Sequence, residues 1–175
     1  MRNLSFLIAT GFILAAVPAF AADTSTVSPA EKLGMFAGSW SSEATLVPGS
    51  STPQKVTGMI TCAWSSAAHV FLVCDGSAVL EGDPTSHHQL SVYTYDAASG
   101  QYGFANVTPS QVTSPDLALN GNTWTYSDKF TSAGKTTYFR TLNIFESPNL
   151  YRYRAESSPD DIHWTINLEG VSRRL

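Results

Sequence analysis

Asn120-Gly121-Asn122-Thr123-Trp124-Thr125-Tyr126-Ser127-Asp128-Lys129-Phe130 is the stretch that decides the fold. Asn-Gly favours a tight hairpin turn, because its central positions need positive φ and these residues reach it at least cost. Beyond the turn, Trp124, Tyr126 and Phe130 share one face, and Thr125, Ser127 and Lys129 the other. That is the two-residue period of a strand with one face in water. Ser132-Ala133-Gly134 then turns the chain into Thr136–Phe145, which carries large residues on both faces: Tyr138, Leu142 and Ile144 on one, Phe139 and Phe145 on the other.

Outward from this hairpin the same grammar repeats. Upstream, the pattern predicts strands at Trp40–Pro48, Val56–Trp64, Val70–Leu80, Leu90–Tyr95, Tyr102–Thr108 and Leu117–Leu119, with a looser piece around Pro109 to Pro115. Downstream, Ser147-Pro148-Asn149 and Pro159-Asp160-Asp161 introduce strands at Tyr151–Ala155 and Trp164–Val171. About ten short strands joined by hairpin turns make an antiparallel meander. Closing such a meander into an up-and-down barrel removes its edges; a sandwich is the competing arrangement. One helix is expected. Ser28 caps it, Pro29 takes the first helical position, Glu31 completes a capping box, and Gly38 ends it after two turns at most.

The start of the chain has a different character. Arg2 precedes a nearly unbroken apolar run from Leu4 to Val17, and Ala19-Phe20-Ala21 supplies small residues for a signal peptidase. Residues 1–21 are therefore expected to be a signal peptide, 22–27 a flexible segment, and 28–175 one barrel domain. The apolar run is too short to cross a bilayer core of roughly 30 Å, so no transmembrane segment is expected in the mature chain. Cleavage after Ala21 leaves 154 of the 175 residues, about one domain, and takes the net charge from −4 to −5. A nucleic-acid partner or an anionic membrane would need a basic footprint, which this composition lacks. The expected location is periplasmic or extracellular.

In such a compartment cysteines pair. Cys62 and Cys74 lie symmetrically about Ala68, the centre of the Val56–Trp64/Val70–Ala78 hairpin, and are expected to form a disulfide. The alternative is two free, buried thiols. There is no C-x-x-C redox motif.

The helix running into Phe36-Ala37-Gly38-Ser39-Trp40, the segment Tyr95-Asp96-Ala97-Ala98-Ser99-Gly100-Gln101-Tyr102, and the late Ser158-Pro159-Asp160-Asp161-Ile162-His163-Trp164 leading to Glu169-Gly170-Val171-Ser172-Arg173-Arg174 form one ordered set. This set resembles the DUF1579 family and, more distantly, the lipocalin-like (calycin) barrels, over about Leu33 to Arg174. The resemblance implies an all-β, antiparallel barrel of about eight to ten strands with a short N-terminal helix. It also implies that Trp40 lies across the barrel floor beneath an arginine of the last strand, Arg173 or Arg174, in a structural role.

Chemistry-bearing constellations are sparse. There is no Gly-x-Ser-x-Gly elbow and no Gly-rich phosphate loop. The adjacent His87 and His88 point to opposite faces of a regular strand, so no metal site is expected, and no cofactor. A haem-binding branch of the calycins, the nitrobindin type, uses a late histidine as axial ligand, which makes His163 a candidate. The chain departs from that branch's Gly-x-Trp-x-Gly-x-Gly, having Ser41, Ser42 and Glu43 after Trp40. Asp128 and Arg140 lie on neighbouring strands and are expected either to pair or to be polar fixtures of a pocket. The leading expectation is an exported barrel that binds or carries a small apolar or amphipathic molecule. Its candidate lining is Trp64, Trp124, Tyr126, Tyr138, Asp128, Arg140 and Trp164. The alternatives are a hydrolase- or isomerase-type enzyme using Asp128, Arg140 or His163 at the mouth, the haem barrel, and a module presenting an outer strand face to another envelope protein. No catalytic residue is assigned.

Overall fold

The computed structural model describes residues 27–47 and 52–175. The expected signal peptide, most of the 22–27 segment and the Pro48-Gly49-Ser50-Ser51 turn lie outside the described residues. Ser28 caps α1 (Pro29–Lys32) through a capping box with Glu31, and a 3₁₀ turn (Leu33–Phe36) continues it, burying Leu33 and Phe36.

Eleven antiparallel strands follow: β1 (Gly38–Leu46), β2 (Gln54–Trp64), β3 (Phe71–Leu80), β4 (Ser86–Asp96), β5 (Gln101–Thr108), β6 (Gln111–Thr113), β7 (Asp116–Asn120), β8 (Thr123–Ser132), β9 (Lys135–Ser147), β10 (Leu150–Ser158) and β11 (Thr165–Arg174). Each pairs with its chain neighbour, except that β6 and β7 both lie along β5. β11 returns to β1 (Trp40↔Arg174 through Leu46↔Leu168), and the one pair Tyr102↔Leu117 joins β5 to β7. The result is an up-and-down barrel with ten strands in the ring, as the turn spacing implies. β6 hangs from the edge of β5 where a looser piece was expected, because Val112 and Thr113 complete a ladder with Val107 and Asn106.

Glycine supplies most of the left-handed positions in the turns, Asn120 stays in the ladder opposite Thr123, and Ala133 takes a left-handed conformation that its side chain disfavours. Gly121 adopts φ +60°, and Ala133 and Gly134 take +48° and +74° in the two-residue connection of β8 to β9. Asp96 accepts hydrogen bonds from Ala98 N and Ser99 Oγ, with Gly100 at φ +72°. Another glycine is needed for closeness: a Cβ on Gly170 would lie 2.5 Å from the Glu43 carbonyl oxygen and 2.8 Å from Tyr153 Cζ.

The core occupies the helix end of the barrel. Leu33, Phe36, Trp40, Leu72, Trp124 and Phe145 are all buried there. Arg174 stacks on Trp40 with its guanidinium carbon 4.4 Å from the ring centroid. It also donates to the carbonyls of Met35 (3.0 Å), Pro148 (3.0 Å) and Ala37. The Trp40 indole N–H donates to Phe36 O at 2.8 Å. Arg173, one residue away, is exposed.

Cys62 and Cys74 are in register across β2 and β3 and form a disulfide. Both sulfurs are in the core, and the loop they close is short, with a sequence separation of 12. A Cys62→Ala/Cys74→Ala variant is expected to lose about 3 kcal/mol of unfolding free energy, the loop-entropy value for such a ring. Urea unfolding followed by tryptophan fluorescence measures it, and reductant should bring the wild-type protein to the same midpoint.

Candidate functional site

Alternation sends every second side chain into the barrel, and the inward set changes character along the axis. At the helix end it is aromatic: Trp40, Tyr93, Phe104, Phe145 and Tyr151. Two residues further along the same strands it becomes amide or hydroxyl, with Ser42 after Trp40, Ser91 before Tyr93, Asn106 after Phe104, and Asn143 before Phe145. This second tier surrounds a cavity of about 540 Å³ that the aromatic tier floors and His87, His88, Thr108 and Pro115 border. Ten strands enclose more space than side chains fill, since eight already suffice to hold one small ligand.

The floor is a connected set of rings. Tyr93 stacks on Phe36 with centroids 5.2 Å apart, and Phe104 lies 4.8 Å from both Tyr93 and Tyr126. The hydroxyls of Tyr93 and Tyr126 are 3.1 Å apart and hydrogen-bonded, and Asn143 Nδ2 donates to Tyr126 Oη at 3.3 Å. Ser91 Oγ donates to Asn106 Oδ1 at 3.1 Å, bridging β4 and β5. Burial holds the phenols of Tyr93 and Tyr126 well above the ordinary tyrosine range, and raises Tyr151 and Tyr153 too. These groups are therefore protonated, neutral donors at physiological pH.

No Asp, Glu, Lys or Arg lines the cavity among the described residues. A cluster of charges stands on the opposite face of the same strands. Glu43, Lys55, Arg152, Arg154 and Glu169 surround a shallow depression of the outer wall. Desolvating an ion inside the barrel would cost several kcal/mol without a paired charge, whereas outside it stays hydrated.

Of the seven lining candidates, Tyr126 lines the cavity. The other six stand elsewhere. Trp124 is fully buried beneath the floor, packed edge-to-face with Tyr102 at 4.8 Å. Trp64 stacks on His69 at 4.5 Å, at the helix end of the β2–β3 hairpin. Asp128 pairs in register with Phe139, and Arg140 with Ser127, so the two expected partners point to opposite faces of the sheet. Asp128 is exposed on the β8–β9 arm. Arg140, Trp164 and Tyr138 belong to the outer wall. Arg140 is ion-paired with Glu156, and its guanidinium carbon lies 3.9 Å from the Trp164 ring centroid. Arg154 Nε stands 3.0 Å from the other Glu156 oxygen, off the line for a hydrogen bond. Glu156 is only 5% exposed although it faces outward, because these side chains cover it. The cluster fastens the β10–β11 loop to the wall.

That loop also holds His163, which precedes β11. His163 Nδ1 is 2.7 Å from Asp160 Oδ2, and its side chain is 82% exposed. Hydrogen bonds from the His163 and Ile162 backbone N–H groups and the His163 ring hold the Asp160 carboxyl well below the usual carboxylate range. This is a loop-shaping turn outside the barrel, so His163 does not offer an axial ligand to the cavity. Asp128, Arg140 and His163 likewise converge on no common point. The residues that sequence reasoning missed are Ser42, Ser91, Asn106 and Asn143. Their signal is the step of two from an aromatic toward the mouth.

The raised phenols give a pH prediction. A group whose pKa is higher in the fold than in the unfolded chain contributes stability that is complete below the unfolded value and lost as pH rises. Stability should stay level through neutral pH and fall above pH 10, where unfolded tyrosines ionise. The slope approaches about 1.4 kcal/mol per pH unit for each phenol. Urea midpoints between pH 8 and 11.5 check this, and a Tyr93→Phe/Tyr126→Phe variant should flatten the decline.

No family model matches the chain, and no curated protein matches it. Among solved structures the chain is similar to Rv2717c from M. tuberculosis, with a TM-score of 0.58 and 12% identity over 86% of this chain and 99% of that one. It is also similar to the S-type phycobiliprotein lyase CPES from Guillardia theta, with a TM-score of 0.52 and 11% identity over 83% and 91% of the two chains. At these identities the likeness is one of fold alone, that of a lipocalin-like antiparallel barrel.

Proposed function

We propose that the protein is an exported lipocalin-like barrel of the DUF1579 kind that binds a small apolar or amphipathic molecule in its interior. One observation carries this reading: a cavity of about 540 Å³, floored by aromatic rings, walled by uncharged hydrogen-bonding groups and open at the end opposite the helix. Ligand sites are concave, mostly apolar, and carry a few well-placed polar groups, which describes this interior. The phycobiliprotein lyase is an enzyme by name. Here the acid, base and anchor candidates Asp128, Arg140 and His163 lie apart, so binding is favoured over catalysis.

Export rests on the residue pattern of 1–21 and is supported by the disulfide. Among the described residues no helix is long and apolar enough to cross a membrane. A second reading, as an interaction module, draws on the outer wall, where Leu90, Val107 and Val112 are paired in register across β4, β5 and β6 and are 41%, 36% and 67% exposed.

Two measurements test the leading reading. Protein expressed in a bacterial host should be recovered from the periplasm with an intact mass beginning at Ala22; a cytoplasmic, full-length product would remove export. The purified barrel should enhance the fluorescence of the neutral dye Nile red. An Ala78→Trp substitution, which places an indole in the cavity from β3, should weaken that binding at least tenfold with the thermal midpoint kept within a few degrees. Equal dye binding by wild type and variant would mean that the dye sits elsewhere.

A further inference from the structure

The deep end of the cavity holds more hydrogen-bond donors than the protein accepts. Tyr93 and Tyr126 carry one hydroxyl proton each and share one hydrogen bond. Asn143 reaches Tyr126 as a donor. Whichever phenol donates within the pair, the other O–H has no acceptor among the described residues. Tyr93 and Tyr126 are 6% and 7% exposed, so bulk water does not satisfy that proton freely. Burying a donor without a partner is unfavourable, and native structures rarely leave one. A little nearer the mouth, Asn106 spends its carbonyl oxygen on Ser91, which leaves its amide protons for the cavity. The unspent phenol proton and the Asn106 amide protons are all neutral donors.

We propose that the barrel is selective for uncharged ring compounds carrying a carbonyl oxygen, which seats on the spare Tyr93/Tyr126 hydroxyl while the ring packs against Phe104. The inference rests on the cavity being a ligand site and names the class it takes. A carbonyl supplies the missing acceptor without bringing a charge. A carboxylate would bring one to the phenol end of a space with no Lys or Arg among its described lining residues, where His87 and His88 stand at the far border, and its desolvation there would be costly. A hydrocarbon of the same shape would fill the space and leave the donor unmet. The tilted rings of Tyr93, Phe104 and Tyr126, with centroids 4.8 to 6.3 Å apart, favour a flat partner, whose quadrupole can pack offset or edge-on against them.

Three naphthalenes of nearly equal size separate these cases: 2-acetylnaphthalene, 2-ethylnaphthalene and 2-naphthoate. They are titrated at pH 7.5 into the intact, disulfide-bonded protein by isothermal calorimetry. The ketone is expected to bind about tenfold tighter than the hydrocarbon, the worth of one buried hydrogen bond, with the carboxylate weakest. In Tyr93→Phe/Tyr126→Phe the ketone's advantage should shrink toward one while the hydrocarbon's affinity is retained. That readout is a preference, which a merely structural loss would not alter selectively, and the wild-type ranking stands on its own should the variant fold poorly. A hydrocarbon as tight as the ketone, or naphthoate tightest, would overturn the class while Nile red binding and its loss in Ala78→Trp still uphold the site. Failure of all three naphthalenes and of Nile red would overturn both.

Discussion

A ring of ten strands cannot fill its own interior, so one end must be sealed by something else. Here the seal is the interlock of Trp40, Arg174 and the short helix. The indole donates to Phe36 O, while the guanidinium stacks on the indole and reaches the carbonyls of Met35, Ala37 and Pro148. These contacts tie the first strand, the last strand, the end of the 3₁₀ turn and the β9–β10 turn to one point. Carbonyls at the end of a helical turn lack intrahelical partners, and an arginine with five donors is suited to collect them. A cation–π contact adds roughly 0.5–2 kcal/mol. Once the helix end is plugged, the remaining length of the barrel is left open as a cavity.

Much of this was legible in the residues. Turn chemistry marked the hairpins because a tight turn leaves few residues that reach positive φ at little cost. The capping box marked the helix because two side chains satisfy two backbone donors reciprocally. Cys62 and Cys74 told the register of β2 on β3 because equal distances from a hairpin centre mean opposed positions. The strand at Gln111–Thr113 was not legible, since three residues are too few to show a period and its pairing with β5 is set by the barrel edge.

The site was read less well, for a different reason. Large aromatics and charges look like pocket chemistry, but a strand assigns them by parity and height, and sequence alone fixes neither. Asp128 and Arg140 sit one step out of register, which sends them to opposite faces. The irregularity between Ala155 and Glu156 does the same to the start of β11 and the residue before it. Ala155 pairs with Leu168 and Glu156 with Ile166, so Asn167 is the extra residue. An unbroken alternation would have carried Trp164 and Ile166 inward with Leu168. The bulge turns them out, and Trp164 covers Arg140 on the wall.

What parity hides, the second-neighbour step discloses. Trp40–Ser42, Tyr93–Ser91, Phe104–Asn106 and Phe145–Asn143 repeat one pattern on four strands, an aromatic at the floor and a small hydrogen-bonding group one pleat nearer the mouth. Side chains that only filled space would be apolar at both levels, because each buried amide or hydroxyl must find a partner or lose the hydrogen bonds it made in water. A chain selected solely for packing would have placed Leu or Val at positions 91, 106 and 143. It carries Ser, Asn and Asn instead, joined into short networks that end on unspent donors. On the proposed reading, neutral donors in a lining without Asp, Glu, Lys or Arg among its described residues make the interior discriminate by hydrogen bonding and shape instead of by net charge.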